Sequence, residues 1–220
     1  MKAIVSLSGG MDSAVALGLA IWKYGAKEVS CVSFDYGSKH SEYEQRAACN
    51  VARHYEVELT HVDLREISKH LQSNLLLSGG DIPEGHYNDD SMSQTVVPGR
   101  NMIFASVLAG IAWTRNAPEV WLGIHLGDRT IYPDCRQEFF EAMRAAVEEG
   151  TGYKVSLVAP FLQTNKAGIV KQGIGLHVPF HLTRTCYANN PVACGRCGSC
   201  CERLESFQMN NIPDPVEYQK

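Results

Sequence analysis

The chain has 220 residues, with 24 acidic and 20 basic side chains, a net charge of −4 and 45% hydrophobic residues. That balance excludes a disordered or collagen-like chain and argues against a dedicated nucleic-acid coat. The length suits one domain of about 100–200 residues, or one such domain with an appendage.

Residues 2–7 are β-branched and apolar and read as a short strand. The turn Ser8-Gly9-Gly10 follows, and then residues 12–24, apolar on nearly all sides as a buried helix is. A second strand is read at 29–34, ending in Asp35-Tyr36-Gly37. A helix follows, with an apolar face at Tyr43, Ala47, Ala48, Val51 and Ala52, and then a third strand at 58–62. After Pro98, residues 102–113 predict another buried helix. Next come a strand at 120–124, an amphipathic helix carrying Phe139, Phe140, Met143 and Val147, and a strand at 155–159. Strands alternating with helices predict a doubly wound α/β domain on a parallel sheet, here assigned to residues 1–180.

Two segments break the alternation. Residues 73–97 are rich in Ser, Gly and Asp, lack a period, and are expected to form a lid. Residues 181–220 read as a Cys-rich appendage with a short polar tail. The apolar run at the N-terminus is shorter than the roughly 7–15 residues of a signal-peptide core. Residues 102–113 fall short of the roughly 18 apolar residues a membrane span needs, so no membrane partner and a cytoplasmic location are expected.

The turn Ser8-Gly9-Gly10-Met11-Asp12-Ser13 lies between a strand and the start of a helix. Unpaired amides and the positive end of the helix dipole converge there, which makes an anion site. The loop is neither a Walker A sequence, lacking Gly-Lys-Ser/Thr, nor a G-x-G-x-x-G fingerprint. Ser8 and Ser13 can add donors, whereas Asp12 can either assist magnesium or cap the helix.

Eight cysteines in a reduced compartment point to metal or catalysis before disulfides. Cys194, Cys197 and Cys200 recur at every third position among Gly195, Gly198 and Ser199, a spacing that wraps thiolates around one tetrahedral ion. Cys186 is chosen as the fourth ligand over His181 and over Cys201, whose sulfur would struggle to reach an ion shared with its neighbour Cys200. Zinc is the expected metal, with an iron–sulfur cluster as the competitor.

The loop resembles the Ser-Gly-Gly-x-Asp-Ser motif of the ATP pyrophosphatases. Together with Phe34-Asp35-Tyr36-Gly37, His40, Val97-Pro98-Gly99-Arg100-Asn101, Tyr132-Pro133-Asp134-Cys135-Arg136, Lys166 and Thr185-Cys186-Tyr187, the chain resembles the 7-cyano-7-deazaguanine synthase family. The resemblance implies AMP-forming carbon–nitrogen ligation. The carboxylate of 7-carboxy-7-deazaguanine is adenylated, ammonia gives the amide, and a second activation gives the nitrile. It further implies ATP, Mg2+ and Zn2+ as cofactors, a deazapurine and ammonia as partners, and a homodimer. ATP is assigned to Ser8, Gly9, Gly10, Met11, Asp12, Ser13 and Phe34. The substrate is assigned to Tyr36, His40, Arg100, Tyr132 and Asp134, and catalysis to Asp12, Arg100, Asp134 and Lys166.

Three of these residues also have plainer readings. Arg100 can be a structural ion-pair partner, Asp134 a helix cap, and Lys166 a solvated first-turn lysine. One departure stands out. Asp128-Arg129-Thr130-Ile131 replaces a family segment ending in Ser-Gly, and a β-branched residue cannot take a glycine's place without reshaping its surroundings. That departure raises a second reading, in which the activated carboxylate joins another amine, including one on a protein. Two rivals are a tRNA thiolation enzyme, with Cys135 or Cys201 carrying sulfur, and a zinc-ribbon docking module on an inactive nucleotide fold.

Overall fold

The computed structural model describes residues 1–85, 90–125, 127 and 131–219. Five parallel strands form one sheet in the order β3-β2-β1-β4-β5: β1 Ala3–Ser6, β2 Val29–Asp35, β3 Glu58–Asp63, β4 Glu119–Trp121 and β5 Ser156–Val158. Successive side chains on a strand point to opposite faces. Ile4, Val32, Phe34, Val120 and Leu157 therefore enter one core, and Ala3, Val5, Val29, Cys31 and Trp121 the other. A sheet covered on both sides buries its strands on both faces, and β2 is buried from Val29 to Phe34, with Ser30 and Ser33 among its apolar residues.

The chain winds outward from β1 in both directions. Helices α1 (Met11–Tyr24) and α2 (Ser41–His54) cover the second core, and the short α3 (Arg65–Ser68) follows β3. The chain then returns to the far side of β1, where α4 (Arg100–Thr114) and α5 (Gln137–Gly150) cover the first core. The direction reverses between β1 and β4. The crevice beyond their carboxyl ends is where open α/β sheets bind ligands.

Two further helices, α6 (Lys166–Gly175) and α7 (Gly198–Met209), join the second core through Ile169, Val170 and Phe207. The sequence reading placed Lys166 in a first helical turn without giving α6 a range, and it did not find α7. The polar tail also packs. Asp214 forms a buried ion pair with Arg203 at 2.7 Å, and Tyr218 donates to the same carboxylate.

The stretch 73–97, expected to be a lid, is anchored to the first core through Leu75, Leu76 and Val97. Leu75, Leu76, Met92 and Val97 are buried, and Asn74 Nδ2 bonds Gln94 Oε1 and the Asp81 carbonyl. Residues 86–89 of that stretch lie outside the described residues. Met92–Thr114 is long and apolar enough on composition to cross a membrane, with mean hydropathy 1.3. The run is nevertheless interrupted at Pro98-Gly99, where Gly99 has φ +63°. The uninterrupted helix α4 spans only about 22 Å at 1.5 Å per residue, below the roughly 30 Å of a bilayer core.

Candidate active site

An open cleft of about 1000 Å³ lies at the point where the sheet order reverses. Ser6 and Ser8 follow β1 on its floor, Leu122, Gly123 and Ile124 follow β4, and Gly10, Met11, Asp12 and Ser13 start α1. The N-cap of α1 is Gly10, and no side chain caps the helix, so the orphan amides of the first turn remain available to a ligand. The serines shape the turn. Ser8 Oγ accepts from Gly10 N at 3.2 Å and lies 3.1 Å from Ser13 Oγ, which donates to the Gly10 carbonyl at 3.0 Å.

Gly9 does not line the cleft but makes the turn possible. Its φ of +85° favours glycine, and a Cβ there would come within 2.6 Å of Ala48 N on α2. Its carbonyl accepts from Arg184 N at 2.8 Å, so the C-terminal segment also clamps the turn. Gly123 gives the loop a flat wall, since a Cβ there would sit 3.2 Å from Ser13 N.

Beside the loop, Lys166 at the start of α6 is buried, with its Nζ 2.5 Å from Glu202 Oε2 and 3.6 Å from Asp12 Oδ2. The plainer reading of Lys166 as a solvated first-turn residue is therefore overturned. His125 is fully buried after β4, accepts from Gly127 N at Nδ1, and places Nε2 3.9 Å from Asp12 Oδ2. Among the described residues Asp12 Oδ1 is buried without a hydrogen-bond partner, an acceptor that a cation could use. Neither His125 nor Glu202 was singled out from the sequence. For His125 a signal existed, its place directly after the strand that borders the reversal point.

The other end of the cleft is lined by Tyr36, Arg100, Asn101, Phe104, Tyr132, Cys135 and Tyr187. Half-buried Arg100 lies 5.7 Å from the Tyr36 ring centroid and donates to Tyr36 Oη at 3.5 Å. Among the described residues it has no carboxylate partner. Burial, reinforced by the Glu44 charge, pushes the Tyr36 hydroxyl up to about 12, keeping it a hydrogen-bond donor at neutral pH. Tyr132 Oη lies 2.7 Å from Thr95 Oγ1, which fixes its ring against the cleft.

Besides Gly9, three assigned residues lie outside the lining. Phe34 is buried and stacks on Phe104 with centroids 4.2 Å apart. Asp134 caps α4 by accepting from Asn101 N at 2.8 Å, a cap on the preceding helix instead of the following one. His40 sits behind the cleft, its ring 5.3 Å from that of Tyr187 and its Nε2 3.5 Å from Glu44 Oε2. Of the divergent segment, Ile131 packs half-buried against the first core, and residues 128–130 lie outside the described residues.

The four chosen cysteines converge. The Sγ atoms of Cys186, Cys194, Cys197 and Cys200 all lie within 4.8 Å of one another and are buried, with 4.0 Å between Cys194 and Cys200. Tetrahedral coordination at a Zn–S bond of about 2.3 Å puts sulfurs about 3.8 Å apart, so the set fits a zinc ion. Backbone amides point at the sulfurs, from Cys194 to Cys186 and from Cys197 to Cys194, both at 3.3 Å. Such donors stabilise thiolates. Hydrogen bonds from Cys197 and Cys200 hold the Cys186 thiol well below its ordinary value. Cys201 stays outside the set, its Sγ 3.6 Å from the Arg196 carbonyl.

A glycine-turn anion site at the reversal point of a parallel sheet, flanked by a four-cysteine centre, defines a PP-loop-type nucleotide-binding α/β protein. The fold agrees with the NMN synthetase of Francisella tularensis, with a TM-score of 0.52 at 14% identity over 96% of this chain and 77% of that one. A family model described as "Queuosine biosynthesis protein QueC" matches residues 2–211. The chain is 46% identical over 218 residues to the 7-cyano-7-deazaguanine synthase 2 of Colwellia psychrerythraea, covering 99% of this chain and 98% of that one. It is 42% identical to the 7-cyano-7-deazaguanine synthase of Pseudoalteromonas atlantica, covering 99% of each. The chain belongs to the QueC family.

Proposed function

We propose that the chain makes 7-cyano-7-deazaguanine from 7-carboxy-7-deazaguanine and ammonia, with ATP cleaved to AMP and pyrophosphate at each of two activations. The observation that carries this reading is identity of 46% and 42%, over 99% of the chain, to relatives that bear this synthase name. The open amides of α1 hold the leaving pyrophosphate, with Ser8 and Ser13 as added donors. Lys166 neutralises charge that builds on the phosphates during transfer. Arg100 forks toward the substrate carboxylate, and Tyr36 and Tyr132 flank the deazapurine ring.

Asp12, through its open Oδ1, would hold a magnesium ion, which supplies charge neutralisation for the triphosphate. Cys186, Cys194, Cys197 and Cys200 would hold zinc as a structural crosslink, with residues 181–220 as an appendage that closes one side of the cleft through Thr185, Tyr187 and Ser199. A cytoplasmic homodimer completes the reading, and sedimentation velocity tests the dimer.

A different amine acceptor, tRNA thiolation and an inactive docking module are not favoured by relatives named as synthases. Incubation with ATP, magnesium and 7-carboxy-7-deazaguanine, with and without ammonium, followed by mass spectrometry, is the test. Ammonium-dependent amide and then nitrile are expected, and ATP turnover with neither product would overturn the reading.

A further inference from the structure

Helix α7 starts in the cysteine centre and runs past the phosphate loop. Cys197 is its N-cap and Cys200 lies in its first turn. Two residues on, Glu202 reaches Lys166 Nζ on α6 at 2.5 Å. A second tie holds the same two helices, Asn210 Nδ2 donating to the carbonyl of Ala167, the residue after Lys166. The next residue of α7, Arg203, fixes the helix to the tail through the buried pair with Asp214. The Glu202 carboxylate thus sits on a rigid mount, whereas a lysine carries its charge on a flexible four-carbon stem. Among the described residues, a second carboxylate near Nζ is that of Asp12, at 3.6 Å.

We propose that Glu202 is a positioning residue, holding the Lys166 ammonium so that it faces the phosphate loop and does not collapse onto Asp12. The inference rests on the reading of this cleft as an ATP site. Charge alone argues the other way, because a carboxylate beside a phosphate site repels the ligand. Glu202 can favour ATP only through the lysine it orients, which separates the two accounts by sign.

The test is binding of α,β-methylene-ATP with magnesium, by titration calorimetry, to the metal-replete wild type and to E202Q, E202D, K166Q and E202Q/K166Q. E202Q should bind about tenfold more weakly, the size of a coupling between residues in contact, and E202D should recover part of the loss. In the K166Q background the same change should cost less than about twofold, because the group it acts through is gone. Bound zinc should match the wild type in E202Q, whereas its melting temperature should fall because buried Lys166 loses a carboxylate partner, so binding is read well below the onset of melting. Unchanged or tighter binding by E202Q, equal losses in both backgrounds, or loss of zinc would each overturn the proposal. A wild type that binds no analogue overturns the ATP reading itself, a result distinct from any ratio among the variants.

Discussion

The phosphate loop and the C-terminal segment serve one cleft by different physics. In the loop the working groups are backbone amides, and the side chains around them mostly shape the turn: Gly9 at φ +85°, Gly10 as an uncapped N-cap, and Ser8 and Ser13 bonded within the turn. In the C-terminal segment the groups are side chains brought together by folding: four sulfurs, the Arg203–Asp214 pair, and Glu202 on Lys166, 36 residues away. A site made from backbone is local and carries a short motif. A site made from side chains is assembled by tertiary structure and carries none, unless a metal imposes its own spacing.

The contrast can be broken first at the metal. Cys197→Ser removes one of four ligands while leaving a serine, a good helix cap, at the N-cap of α7, so the effect reads the metal and not the helix start. Loss of stoichiometric zinc by mass spectrometry and destabilisation by more than about 5 kcal/mol in urea are expected, the range reserved for loss of a structural metal. Arg203→Ala comes next. It strands the buried Asp214 carboxylate and removes donors to Thr183, Thr185 and the Phe180 carbonyl, at a cost of about 3–5 kcal/mol, also read in urea.

On the loop side, Gly9→Ala forces a Cβ against α2 at a positive φ. About 1–3 kcal/mol of stability should be lost, together with nucleotide affinity, measured on one preparation by melting and by analogue titration. The smallest effect belongs to Phe34→Leu. The ring stacks on Phe104 away from the cleft lining, so less than about 1.5 kcal/mol should be lost and analogue affinity should hold. A large fall in affinity would return Phe34 to the ATP site.

Much of the α/β frame was legible because buried parallel strands leave short apolar-rich runs and amphipathic helices leave a period, as β2 and α2 do. The loop was legible from its glycines, and the metal set from its spacing and from the reach of Cys186. Helix α7 was not. Its sequence, GSCCERLESFQM, has little apolar periodicity, and the structure ties it down through Arg203, Phe207 and the cysteine cluster. Lys166 was named, but its burial was not, since the partner that permits it lies 36 residues away. Ser73 to Val97 misled for a related reason: a polar, aperiodic stretch still buries Leu75, Leu76 and Met92, scattered too widely to form a pattern.

The account turns on a carboxylate oxygen attacking the α-phosphate while the amides of α1 retain pyrophosphate. Substrate labelled with oxygen-18 in its carboxylate, turned over with ATP and ammonium, reads this directly by mass spectrometry of the nucleotide. Label in AMP, with unlabelled pyrophosphate released alongside it, is the predicted result. ADP with label in inorganic phosphate would contradict it.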